Sequence, residues 1–354
     1  MHLRGHDLVF DRFRRTLRAG RMASTFLFVG PPGIGKKSFA LLLAQGLLCD
    51  RQPEEALNPC GQCSACAQVL AGTHPDVVVL AKPADKNYIP LELLIGDKEH
   101  RMREGLCHDI SLKPFSGRRK IAVIDDADYL NQEGANALLK TLEEPPPHSI
   151  LILIGTSEQR QLPTIRSRCQ VVRFSPLAEG DVAELLVSTG ACSDESLARQ
   201  AATLSGGSLA KALLWCDEDF LAFRVTLYEH LSQREYDLPP LAKAVTSFVE
   251  AAGKEAAQKR ARMREVLTMA LDFYEQLIAT LSSAATANPK DAALQTAVAA
   301  TARWWPGDAE TAAACVETCL DALAHVDANA NLTALAEWWL DEQSQTARGH
   351  LAQK

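Results

Sequence analysis

The sequence predicts an α/β domain built on a parallel sheet, followed by regions that are helical throughout. Three observations carry this. Short apolar runs, STFLFVG (24–30), DVVVL (76–80), IAVID (121–125) and SILILIGT (149–156), recur through the first half. Helical patterns lie between them, and strands apolar on both faces belong to a parallel sheet covered on both sides. Beyond about residue 175 the strand-like runs stop, and the chain becomes Ala- and Leu-rich at helical spacing.

The elements follow in order. Residues 24–30 end in the glycine turn GPPGIGKK, and KKSFALLLAQGLL reads as the helix after it. A cysteine-rich module comes next, then the strand at 76–80 and a helix expected over 91–107. The strand IAVID ends at Asp125 and Asp126. In EGANALLKTLEE, Ala135, Leu138, Leu139 and Leu142 fall at i, i+3, i+4, i+7, the spacing of one helix face. PPP at 145–147 stops that helix. SILILIGT is the next strand, and LPTIRSRCQVVRF closes the α/β domain, expected over 1–175. SPLAEGD offers Ser175 as an N-cap with Pro176 at the first helical position, opening a small helical lid expected over 176–235. An all-α region is expected over 236–354, broken near NPKD and WWPGD.

Composition narrows the class. A chain of 354 residues is too long for one ordinary core and implies two or three domains. A hydrophobic content of 47% with 23% charged residues belongs to a globular protein rather than a disordered one. The longest apolar runs fall well short of the roughly 20 residues a membrane helix needs. The start, MHLRGHDLVFDRFRR, has no apolar signal core, so the cytoplasm is the expected compartment. A net charge of −7 argues against gripping nucleic acid over the whole surface.

GPPGIGKK nearly matches the phosphate loop G-x-x-x-x-G-K-[ST], in which backbone N–H groups and a helix N-terminus cradle phosphates. Gly30, Gly33, Gly35 and Lys36 suit it, with Ser38 and Thr156, at the end of SILILIGT, as further candidate nucleotide contacts. The position after Lys36 should carry a hydroxyl for Mg²⁺ and carries Lys37, an ammonium where a hard oxygen ligand is expected. Ser38 is about 100° further round the helix and substitutes only if the loop shifts register. Asp125 suits the acidic strand end that helps hold Mg²⁺. The next residue, where many such ATPases place a water-activating Glu, is Asp126, one methylene shorter. The plain alternative for both acids is a solvated strand end.

Of the ten cysteines, Cys49, Cys60, Cys63 and Cys66 cluster as one residue followed by CGQCSAC. Two C-x-x-C steps sharing a sulfur plus a fourth cysteine can close a tetrahedral zinc site, and a Cys₄ set leaves no open position, so the role is structural. Four free thiols are the alternative. The other six cysteines read as small buried apolar residues. Arg166 and Arg168 in TIRSRCQ follow the fourth strand without an acidic partner nearby in sequence. A surface pair is the reading from sequence alone, although a guanidinium can complete a neighbour's phosphate site.

GPPGIGKK, the cysteine quartet, IDDADYLNQEGANALLKTLEEPP and IRSRC, in that order, resemble the bacterial clamp-loader branch of the AAA+ ATPases, densely over about residues 5–175 and thinly beyond. The resemblance implies an AAA+ phosphate-loop core with a zinc module at 49–66, a lid and an oligomerising collar. It implies that Arg168, within Ser167-Arg168-Cys169, reaches into the ATP site of an adjacent subunit. It further implies a replisome component of the DNA polymerase III holoenzyme, with no polymerase activity and little ATPase activity of its own. Its implied partners are a motor subunit of tau/gamma type and the delta subunit, with the sliding clamp and primer-template DNA reached through the complex. Structural Zn²⁺ is the implied cofactor, while ATP or ADP with Mg²⁺ stays open. The departures are Lys37, Asp126 and Ala210, the last standing in GGSLAKAL where motor subunits carry a nucleotide-sensing Arg. A stator that donates Arg168 but does not fire its own site is therefore expected. The alternative is a self-sufficient AAA+ ATPase working through Lys36 and Asp125, and a weaker one is a subunit locked on ADP. KEAAQKRARMRE (254–265) is expected to be a solvated helix surface rather than a DNA contact, and Trp304, Trp305, Trp338 and Trp339 collar core or interface.

Overall fold

The computed structural model describes residues 4–83, 86–116, 118–234, 238–282 and 291–349. In the first half the chain runs α1 (Asp7–Arg18), β1 (Thr25–Val29), α2 (Lys36–Leu48), α3 (Ser64–Ala71), β2 (Val77–Leu80), α4 (Leu91–Ile95) and α5 (Leu106–Ser111). It continues through β3 (Lys120–Ile124), α6 (Gln132–Glu143), β4 (Ser149–Gly155), α7 (Pro163–Arg166) and β5 (Gln170–Arg173). The five strands form one parallel sheet in the order β2-β3-β4-β1-β5. Side chains alternate across it. Phe26, Phe28, Ile121, Val123, Ile150 and Ile152 pack with α1 and α2 on one face. Leu27, Val29, Ala122, Ile124, Leu151 and Leu153 pack with α4, α5 and α6 on the other. Burial on both faces is why these strands are apolar throughout.

Two sequence expectations change here. The helix expected over 91–107 is two short helices, α4 and α5, separated by a folded loop. Gly96 and Gly105 adopt left-handed backbone at φ 81° and 87°, and a Cβ on Gly105 would stand 2.7 Å from Gly96 N. That close crossing ends the helix despite its apolar spacing. Ser175 is not an N-cap: α8 (Glu179–Ser188) starts later, after Ala178. The Leu177 N–H instead donates to Gly207 O at 3.0 Å, holding the Pro176 segment extended against a glycine that has no Cβ to obstruct it. Helices α9 (Glu195–Leu204) and α10 (Leu209–Leu214) follow.

The chain divides into two compact units at Leu213–Leu214. The second contains α11 (Glu218–Leu231), α12 (Leu238–Glu250), α13 (Ala256–Leu281), α14 (Ala292–Ala302), α15 (Ala309–Asp327) and α16 (Leu332–Gly349). Helix α11, read with the lid from sequence, contributes Phe220, Phe223, Leu227 and Leu231 to this helical core. Asp291 and Asp308 cap α14 and α15, so WWPGD breaks the helix as expected; residues 288–290 of NPKD lie outside the described ones. Trp339 and Trp305 are buried and Trp304 half-buried, with its Nε1–H donated to Ser232 O at 3.1 Å. Trp338 is 37% exposed, edge-on to His325. In the basic stretch Lys259 pairs with Glu250, Arg262 with Asp217 and Arg264 with Asp327, so these three charges are met within the unit.

Candidate functional site

At the end of β1 the chain turns through Gly30–Gly35 into α2. Gly30 lies against β5, where a Cβ would come within 2.4 Å of Phe174 O, and its N–H donates to Thr156 O at 3.2 Å. Gly35, at φ 92°, is the left-handed residue that starts α2. His6 Nε2 donates to Ile34 O at 2.7 Å, tying the loop to the N-terminal segment. Gly33 faces α10, where a Cβ would meet Ser208 Oγ at 2.4 Å and Ala210 Cβ at 2.6 Å. A cavity of about 420 Å³ lies above the loop, lined by Gly33, Gly35, Lys36, Lys37, Ser38, Asp125, Asp126, Thr156 and Ala210 among others. The residues nominated for the phosphate site therefore line one cavity, except Gly30.

Their arrangement differs from a loaded phosphate site. Lys36 Nζ donates to Gly30 O and Pro31 O, both at 2.6 Å, so the ammonium is folded onto its own loop. Burial holds its pKa below the ordinary lysine value, partly opposed by Asp125. Lys37 Nζ lies 3.2 Å from Asp125 Oδ2. The cation beside the acidic strand end is thus the protein's own. Asp126 takes a left-handed backbone at φ 57°, and burial, then the nearby Asp125 charge, raises its carboxyl above the usual range. Ala210 brings no charge to the cavity wall.

Asp128, which the sequence reading passed over, organises the opposite wall. The Thr156 N–H and Oγ1–H donate to its Oδ2 at 2.9 and 2.6 Å, and Gln161 Nε2 donates to Oδ1. The Thr156 hydroxyl hydrogen is spent on this carboxylate. The third acid of IDDAD was the available signal; its pairing with residues 28 and 33 positions away was not.

Arg168 stands apart from this cavity. Its carbonyl accepts from Thr25 Oγ1 at 2.8 Å, at the start of β1, whereas the phosphate loop follows Val29 at the other end. Four residue steps of strand, from Thr25 to Val29, separate the two sites by roughly 13 Å before the loop is reached. The Arg168 guanidinium lies at the surface: Nε donates to Glu143 Oε1 at 2.6 Å, and Nη2 lies 2.5 Å from the same oxygen. Nη1 donates to Thr164 O and Ser167 Oγ, each at 3.0 Å. Cys169, partly buried, packs against the sheet core, and burial pushes its thiol up to about 12.

The cysteine module passes a separate test. The sulfurs of Cys49, Cys60, Cys63 and Cys66 all lie within 4.8 Å of one another, with Cys49 and Cys63 at 3.9 Å. Tetrahedral zinc with sulfur at 2.3 Å requires separations of about 3.8 Å. The Cys63 N–H points at Cys60 Sγ (3.3 Å) and the Cys66 N–H at Cys63 Sγ (3.4 Å), bonds that stabilise thiolates. The Gln62 N–H, foremost, holds Cys60 down to about 6. Arg118 Nη1 donates to Cys49 O at 2.7 Å and Gln45 Nε2 to Cys66 O at 2.8 Å, fixing the module to the segment before β3 and to α2. The donor set and spacing fit zinc.

Residues 5–178 match the protein family described as DNA polymerase III, delta subunit. The chain is 37% identical over 188 residues to DNA polymerase III subunit delta' of Pseudomonas aeruginosa, covering 52% of this chain and 53% of that one. It is 33% identical over 230 residues to subunit delta' of Escherichia coli, covering 65% and 64%. It is also 35% identical over 166 residues to subunit tau of Salmonella typhimurium, covering 47% and 24%. The matched region spans between about half and two thirds of the length of these delta' relatives.

Proposed function

Residues 5–178 of this chain belong to the DNA polymerase III delta-subunit family, and from that membership we propose that the protein is a delta-prime-type stator of the bacterial clamp loader. In this reading it packs beside a tau/gamma-type motor subunit and a delta subunit, and helps load the sliding clamp onto primed DNA. It offers Arg168 to the neighbouring motor's ATP and does not turn over nucleotide efficiently itself.

The observation that carries this reading is the separation of the two sites. Arg168 lies at the end of the strands opposite the phosphate loop, with its guanidinium at the surface. From there it cannot serve its own cavity, but it can meet a phosphate held by an adjoining chain. The altered home site supports the second half of the claim. Lys37 sits on Asp125, the residue that would help hold Mg²⁺, and Ala210 supplies no cation. A zinc ion held by Cys49, Cys60, Cys63 and Cys66 would cross-link the module that joins α2 to β2, a purely structural contribution.

The test pairs two measurements. The isolated chain is expected to show negligible ATP turnover. A reconstituted clamp loader carrying Arg168→Ala is expected to lose most of the turnover of the motor site that receives the finger, where such an arginine contributes about 10³-fold or more. Appreciable turnover by the chain alone, abolished by Lys36→Ala, would establish the alternative, a self-sufficient ATPase.

A further inference from the structure

Glu143 is the last residue of α6, where the helix dipole disfavours an anion. What compensates it is Arg168, 25 positions later, whose Nε and Nη2 both lie on Glu143 Oε1. The remaining acceptors come from the same turn of chain, Thr164 O and Ser167 Oγ, and both engage Nη1. A guanidinium has five N–H donors. Three of them are donated to Glu143 Oε1, Thr164 O and Ser167 Oγ, while Nη2 stands against Glu143 Oε1 as an ion pair. An unrestrained arginine samples many rotamers, whereas this one is held at three of its nitrogens before any partner arrives.

We propose that Glu143 is the positioning residue of the Arg168 finger: its carboxylate, meeting Nε and Nη2, fixes the guanidinium so that it reaches the neighbouring subunit's nucleotide phosphate in register. The inference rests on the finger reading above. It assigns Glu143 no contact with the nucleotide, and its action passes entirely through Arg168. Since a displacement of about 1 Å can cost on the order of 100-fold in rate, an acceptor that fixes Nε has a measurable effect on turnover.

The experiment uses the reconstituted clamp loader with Glu143→Ala, Glu143→Gln, Arg168→Ala and the double variant Glu143→Ala/Arg168→Ala in this chain. The quantity read is the arginine-dependent turnover, wild type minus Arg168→Ala. Glu143→Ala is expected to lower its kcat about tenfold while leaving the KM for ATP within about twofold. Glu143→Gln, whose carbonyl still accepts from Nε, is expected to restore most of it. Adding Glu143→Ala to Arg168→Ala is expected to change nothing further. Full arginine-dependent turnover in Glu143→Ala, or an equal loss in the Arg168→Ala background, overturns the positioning role while leaving the finger intact. No loss in Arg168→Ala overturns the finger itself, and the inference with it.

Discussion

Lys37 Nζ stands 3.2 Å from Asp125 Oδ2, on the wall of the cavity that the phosphate loop encloses. The loop geometry, the lysine at its end and the acidic strand end are all present. The position that should offer a metal ligand instead offers a counterion.

Freeing Asp125 should make the site responsive to metal. In the isolated chain, adding Mg²⁺ is expected to leave the affinity for ATP unchanged. In Lys37→Ser, Mg²⁺ should tighten binding about tenfold, ~1.4 kcal/mol, without restoring rapid turnover because Asp126 and Ala210 remain. Calorimetric titrations with Mg²⁺ and with chelator decide it, and Mg²⁺-strengthened binding by the unaltered chain would refute the role given to Lys37.

Asp128 is expected to matter for stability as well as for the site. Asp128→Ala leaves the Thr156 amide and the Gln161 side chain without their acceptor. A loss of about 1–2 kcal/mol is expected for a partly buried, charge-assisted set of this kind, with Asp128→Asn milder. Urea unfolding measures both; an unchanged midpoint for Asp128→Ala would count against the anchoring role.

Zinc content should follow the quartet. Purified protein is expected to hold one zinc per chain. Cys49→Ser or Cys66→Ser should lose it and unfold at lower temperature, while Cys107→Ser, in the core beneath α6, should keep its zinc. Elemental analysis with thermal melts separates the cases, and zinc well below one per chain in the unaltered protein removes the metal assignment.

Acid should weaken one tie between the module and the sheet. Arg119, donating to Glu54 at 2.8 and 3.0 Å, chiefly holds the Glu54 carboxyl below the usual value of 4.5. A carboxylate lowered in the folded state adds stability that is fully present above its unfolded value. That stability is lost as the pH falls through the depressed folded value. Glu54→Gln is therefore expected to be less stable than the unaltered chain near pH 7, by up to about 1 kcal/mol for a partly exposed pair. The two should converge as the pH falls below 4.5, and a gap that persists there would show that the pair does not titrate as described.

Arg168→Ala should leave the fold almost untouched. Its pair with Glu143 is solvent-facing, so a change within about 1 kcal/mol is expected on thermal unfolding of the isolated chain. A larger loss would mark Arg168 as structural.

Much of this was legible from local pattern. Apolar runs gave the first four strands, the glycine turn gave the loop, and the C-x-x-C spacing gave the quartet, because each feature is written in a short segment of sequence. The segment 91–107 misled because its apolar spacing is helical, while the crossing of Gly96 and Gly105 that breaks it involves contact between distant backbone atoms. Asp128 was missed for the same reason.

The sequence by itself determined that this is a parallel α/β domain with a degenerate phosphate loop and a thiolate cluster, since strand burial, turn chemistry and ligand spacing are properties of short segments. Tertiary structure decided what those parts do to one another. Strand register carries Arg168 to the end of the strands opposite the loop, helix packing brings Glu143 to its guanidinium, and the approach of the start of α2 to the end of β3 sets Lys37 on Asp125. Charges meet according to where the chain folds back, and that is settled by the packing of the sheet and its helices rather than by distance along the chain.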